Sequence, residues 1–172
     1  MMFVMTAAPL AAVGCQHSID DSASIIRWHL VGMYAPSFFA GRLIQRFGMP
    51  AVLFSGMALS AACGLIAMIS TSLLAFYVAL LCLGVGWNFM FVGGTTLLAS
   101  SHLAHERARV QGVAELIRYG STAMATLAAG PVLERFGWAE LNAVIFPLLT
   151  IAAVMTAFWV RAGRSALLQG AA

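Results

Sequence analysis

The stretch Leu73–Leu98 runs for 26 residues without a single Asp, Glu, Lys or Arg. As an α-helix it would measure about 39 Å at 1.5 Å per residue, more than the roughly 30 Å hydrocarbon core of a bilayer. A second charge-free stretch, Ala51–Ile69, lies just before it. Two such helices, side by side, already exceed what a small soluble domain can shield from water. The rest of the chain has the same character: 62% of its 172 residues are hydrophobic and only 9% charged. Soluble domains average about 45–50% and about 25%. A soluble enzyme, a nucleic-acid binder and a disordered tail are excluded. The pattern requires an all-α integral membrane protein.

Six apolar runs can be marked by the breaks between them, at about 1–14, 24–44, 51–69, 73–98, 112–133 and 141–160. About 17–25 apolar residues span a bilayer. The third to sixth runs qualify directly, and the second does so if Gly41–Ile44 continue it. The first is short and has no charged segment ahead of it. It reads as a spanning helix that lacks its N-terminal turns. Pro9, Pro36, Pro131 and Pro147 are expected to kink or end their helices. The whole chain forms one six-helix domain with lipid as its surroundings.

All nine basic residues are Arg, and they fall at run ends. Arg42 and Arg46, Arg107 and Arg109, and Arg161 and Arg164 belong to one side. The other side carries Asp20 and Asp21, the Ser70-Thr71-Ser72 turn, Glu134 with Arg135, and nearby Arg27. Arg concentrates in cytoplasmic loops, so six against two places the first side, and the C-terminus, in the cytoplasm. Trp28, Trp138 and Trp159 suit the headgroup level. Cys15, Cys63 and Cys82 form no CxxC pair. Cys63 and Cys82 lie inside apolar runs as small core residues.

Gly41–Gly48 and Gly130–Gly137 both read G-x-x-x-[QE]-R-F-G, 89 residues apart. Each follows the second span of a set of three. Because three is odd, the copies emerge on opposite faces, which makes a 3+3 inverted repeat, a mark of secondary transporters. Gly41, Arg46 and Gly48 also match the loop signature G-x-x-x-[DN]-R-x-G-[RK]-[RK] of the major facilitator superfamily, with Gln45 at the acidic position and Met49-Pro50 at the closing basic pair. The segments Trp28–Phe39 and Gly84–Phe89 are similar to a bacterial branch of the same superfamily. The resemblance covers essentially the whole chain. It implies helices seven to twelve of a twelve-helix secondary carrier in a bacterial inner membrane. It also implies a small-molecule substrate and an N-terminal six-helix half as partner. The resemblance further implies that the ninth and twelfth helices lie outside while the seventh, eighth, tenth and eleventh line the path. The competing class is a six-span membrane scaffold without transport, which leaves the repeat unexplained.

Ionisable groups within a bilayer usually face a bundle interior or a wet cavity. The third and sixth runs hold none. At about 100° per residue, Glu115, Arg118, Tyr119, Thr122 and Thr126 fall on one stripe of the fifth run. That stripe is either a pathway wall or a structural Glu115–Arg118 pair at i,i+3. Asn88 sits mid-run among Gly84, Gly86, Gly93 and Gly94, as a solute contact or as interhelical glue. His29 could titrate near neutral pH, or rest at the interface beside Trp28. For both, the structural reading is preferred. The segment His102–Glu106 lacks the order of a zinc motif and reads as solvated loop. No residue pattern supports catalysis, a cofactor, a metal or nucleic acid.

Overall fold

The computed structural model describes residues 1–169, with side chains described through Ala162 apart from Ala104. Arg164 therefore lies outside the described side chains. Eight α-helices follow one another: α1 (Met2–Gly14), α2 (Ile19–Tyr34), α3 (Ser37–Phe47), α4 (Met49–Ile69), α5 (Leu73–Ser100), α6 (Arg107–Phe136), α7 (Trp138–Ala143) and α8 (Ile145–Gln169). A short 3₁₀ turn, Ala104–Glu106, precedes α6.

Helix boundaries follow local chemistry. Ser18 Oγ accepts from the Asp21 amide while the Asp21 carboxylate accepts from the Ser18 amide, a reciprocal cap that starts α2. Ser72 caps α5 by accepting from the Ala75 amide. Pro36 has no N–H to continue the ladder, and the second apolar run breaks there into α2 and α3. The sixth run divides in the same way at Val144, three residues before Pro147. Pro9 and Pro131, by contrast, lie inside unbroken helices.

The two G-x-x-x-[QE]-R-F-G copies are not loops, which corrects the sequence reading. Gly41–Phe47 and Gly130–Phe136 are the last turns of α3 and α6, and only the closing glycine of each turns the chain. Gly48 has φ 84° and ψ 155°, and Gly137 has φ 89° and ψ 178°. That region is open essentially to glycine alone. No other described glycine has a positive φ. The sequence repeat thus marks a repeated backbone turn, helix–glycine–helix.

Among the described residues, three stretches are long and apolar enough to cross a membrane: α4, α5 and the α7–α8 stretch Trp138–Ala162. Helix α1 is apolar but only 13 residues long. Helix α6 has the length, yet its charged and polar residues lower its hydropathy.

Lipid offers apolar helices no hydrophobic reason to associate, so close backbone approach and interhelical hydrogen bonds must hold them. Helix α5 shows both. Gly84 meets the backbone of α2, and Gly86 meets Gly56 and Ser60 of α4. Helix α1 offers a row of buried alanines, Ala7, Ala8, Ala11 and Ala12, and lies chiefly along α6 and α2. Helix α4 contacts α5, α7 and α8. Phe76 stacks on Trp138 at 5.2 Å and receives the His17 ring edge at 5.7 Å. His17 Nε2 also donates to Thr71 O at 2.9 Å. The turns at 15–18, 70–72 and 137–138 therefore share one end of the molecule. Cys63 is buried in the core, while Cys15 and Cys82 are half-buried, all as free thiols.

Candidate functional site

Helix α6, like α8, buries little of its surface. Of its 30 residues only Ala129 is buried. Its apolar face is as open as its polar one: Leu116 is 74% exposed and Tyr119 63%. The helix lies along α1 and meets α7, but does not run packed along α5. The two meet across an open cleft of about 200 Å³, with Phe91, Gly94 and Thr95 on one side and Ala114, Glu115 and Arg118 on the other.

Three of the sequence-selected residues come together there. Glu115 Oε2 accepts from both Nε (3.1 Å) and Nη2 of Arg118. The pair stays open, with side chains 48% and 41% exposed. The Arg118 guanidinium stands over the Tyr119 ring at 4.5 Å and, across the cleft, over the Phe91 ring at 5.5 Å. Phe91 is itself stacked on Trp87 at 4.7 Å, with ring planes 15° apart. Four flat groups thus stand in series: Trp87, Phe91, Arg118, Tyr119. Thr122 lies one turn further along α6, half-buried.

His29 and Asn88 lie elsewhere, in the seam between α2 and α5. His29 is fully buried, and its Nδ1 donates to Leu80 O at 2.7 Å. Asn88 Nδ2 donates to Met33 O at 2.7 Å and to Ser37 Oγ. Those acceptors flank the break at Pro36, so Asn88 fastens α5 to both α2 and α3. Leu80, Gly84 and Asn88 recur every four residues on one face of α5. Two hydrogen bonds therefore bracket one glycine contact. Both side chains keep a buried atom without a protein partner, His29 Nε2 and Asn88 Oδ1.

The motif residues Gly41 and Arg46 are exposed on α3, and Arg46 lies over the Phe47 ring at 5.3 Å. Sequence reasoning overlooked Phe91 and the stacking role of Trp87. Their i,i+4 spacing on a charge-free helix was the available signal.

Comparison with known proteins bears on this arrangement. A family model described as Major Facilitator Superfamily matches residues 1–170. The riboflavin transporter RfnT of Brucella anthropi is 42% identical over 154 residues, covering 90% of this chain and 39% of the relative. Two uncharacterized MFS-type transporters of Bacillus subtilis, YddS and YdeG, are 30% and 28% identical, over 92% and 94% of this chain. The chain spans 37% and 38% of their lengths. No solved structure matches. With the family model spanning nearly every residue, and apolar helices long enough for a bilayer, the chain belongs to the Major Facilitator Superfamily, a family of membrane transporters and not of enzymes.

Proposed function

We propose that this chain forms the six-helix C-terminal half of a secondary carrier for a small organic solute, with riboflavin the first substrate to test. The family match over residues 1–170 carries the reading. The span of 39% of RfnT, whose name specifies riboflavin, supports a half-carrier. Helices α1, joined α2–α3, α4, α5, α6 and joined α7–α8 are the six spans, arranged as a 3+3 inverted repeat. The glycine turns at Gly48 and Gly137 support that arrangement. The protein sits in a bacterial inner membrane with its C-terminus in the cytoplasm, a placement supported by the asymmetry of Arg residues between the two sides. The N-terminal six-helix half of the same carrier completes the cavity.

Within this half, Glu115, Arg118, Tyr119 and Thr122 line the solute path, while His29 and Asn88 hold its wall. The Glu115–Arg118 pair is the working element. A carboxylate engaged with a guanidinium neutralises it. A proton delivered to Glu115 would release the two N–H groups it occupies, making them available to a solute. The test is uptake of riboflavin by riboflavin-requiring cells that express the carrier containing this chain. The expected result is saturable accumulation that Glu115→Gln abolishes while sparing exchange. Absence of uptake by the wild-type carrier would refute riboflavin. Normal accumulation by the variant would refute the role of Glu115.

A further inference from the structure

We infer that the cleft between α5 and α6 is a slot for a flat, uncharged heteroaromatic ring, entered between Phe91 and the Arg118 guanidinium. The inference rests on the transport reading above and places its substrate. Three spacings separate the four flat groups: 4.7 Å from Trp87 to Phe91, 5.5 Å from Phe91 to Arg118, and 4.5 Å from Arg118 to Tyr119. The first joins residues one turn apart on α5, and the last joins adjacent residues on α6. The middle spacing is the widest, and it alone bridges two helices that are not packed along each other. It is the step at which the series can part.

The space beside this step is prepared. A methyl group added at Gly94 would meet nothing within 4 Å, so the floor of the cleft is unfilled. Phe91 offers an aromatic wall backed by Trp87, and a second plane comes from a guanidinium on a long, half-exposed side chain that can move aside. Planar rings stack on aromatic and guanidinium faces irrespective of their detailed chemistry.

Charge narrows the class. Glu115 and Arg118 compensate each other, so the cleft presents no net charge to attract an ion. A neutral planar ring fits such a cleft. The isoalloxazine ring of riboflavin is one, and its sugar-alcohol tail is not.

Binding of riboflavin to the purified chain in lipid nanodiscs, followed by quenching of flavin fluorescence, tests the slot. A flavin in the slot lies near the electron-rich rings of Trp87 and Tyr119, which quench it, and ribitol, the tail without a ring, does not compete. Phe91→Ala weakens binding by about fivefold or more, the lower end of what stacking one ring on an aromatic side chain contributes. Phe91→Tyr keeps the plane and binds within about threefold of wild type. Arg118→Lys keeps the charge, loses the plane, and weakens binding by about tenfold. Thermal unfolding of each variant separates lost binding from lost fold. Wild-type binding by both Phe91→Ala and Arg118→Lys, competition by ribitol, or no saturable binding of riboflavin would each overturn the slot. Binding as described without uptake by the carrier would refute the transport reading and leave the slot intact. Uptake of riboflavin unchanged by Phe91→Ala would do the reverse.

Discussion

Replacing Gly84 by alanine should loosen the molecule more than any other single methyl group added in α5. A Cβ built there lies 2.6 Å from His29 O, 3.0 Å from Met33 N and 3.1 Å from the Gly32 carbonyl carbon. All three are backbone atoms of α2, so no side chain can rotate away. Ordinary contact begins near 3.4 Å, and α2 must retreat by about 0.8 Å. The two hydrogen bonds that bracket Gly84 are both 2.7 Å long. The same retreat would stretch them towards about 3.5 Å, the limit of a hydrogen bond. Overpacking costs about 1–3 kcal/mol, and an interhelical hydrogen bond in a membrane protein averages about 0.6 kcal/mol. Together they amount to about 2–4 kcal/mol, set against about 1 kcal/mol gained from the better helix propensity of alanine. Gly94→Ala is the internal control, with the same gain and no clash. Unfolding in mixed micelles at increasing detergent denaturant, followed by circular dichroism, should therefore separate the two variants by about 2–4 kcal/mol, with Gly84→Ala the weaker. Equal stability of the two would refute the reasoning, because it would mean that α2 and α5 do not meet backbone to backbone.

Further outcomes follow from other features. Gly48→Ala and Gly137→Ala should each destabilise by about 1–3 kcal/mol, because a side chain is strained in the backbone conformation both glycines adopt; unfolding in the same micelles checks this, and neutrality would contradict the turn geometry. Asn88→Leu should free the α2–α3 break, seen as faster amide hydrogen exchange at residues 35–40 with little change in α8. Asp21 accepts hydrogen bonds from the Ser18 hydroxyl and amide, which hold its carboxyl below the usual aspartate value. Because the folded value is the lower one, the cap is complete above the ordinary range near 3.9 and is lost as pH falls through the depressed value. Carboxyl-carbon NMR should find the Asp21 midpoint below that range, and Ser18→Ala, which removes the hydroxyl but keeps the amide, should raise it part of the way back.

Much of the architecture was legible because a bilayer imposes a length on its helices. The boundaries of α4 and of the start of α5 follow directly from where charge-free sequence meets serine and glycine. The breaks at Pro36 and Val144 were half legible. A proline announces a lost hydrogen bond, but whether a helix continues, as α1 does through Pro9, or divides depends on what surrounds it. At the Pro36 break Asn88 donates to the Met33 carbonyl. The Arg-Phe-Gly repeat was visible as a pattern and misread as a loop, since nothing local distinguishes the last turn of a helix from the connection after it. In the candidate site, i,i+3 spacing brought out Glu115 and Arg118, which share a helix. Phe91 escaped because its partner lies on a different helix, and only the fold sets α5 against α6 at that height. His29 and Asn88 stood out as polar groups in apolar runs, but their place in the seam between α2 and α5 depends on the fold.

The paired glycines of α5 have a mechanical consequence. Gly84 and Gly86 are two residues, or about 200°, apart around the helix, so α5 is wedged between α2 and α4 with main chain touching main chain on both flanks. A layer of leucines between helices would be compressible, with rotamers that absorb small shifts. Here that layer is missing, and a displacement of α2 passes to α4 with no cushion between them. The three helices behave as one stiff plate. Helix α6 stands apart from that plate, meeting α5 across the open cleft that the long side chain of Arg118 spans.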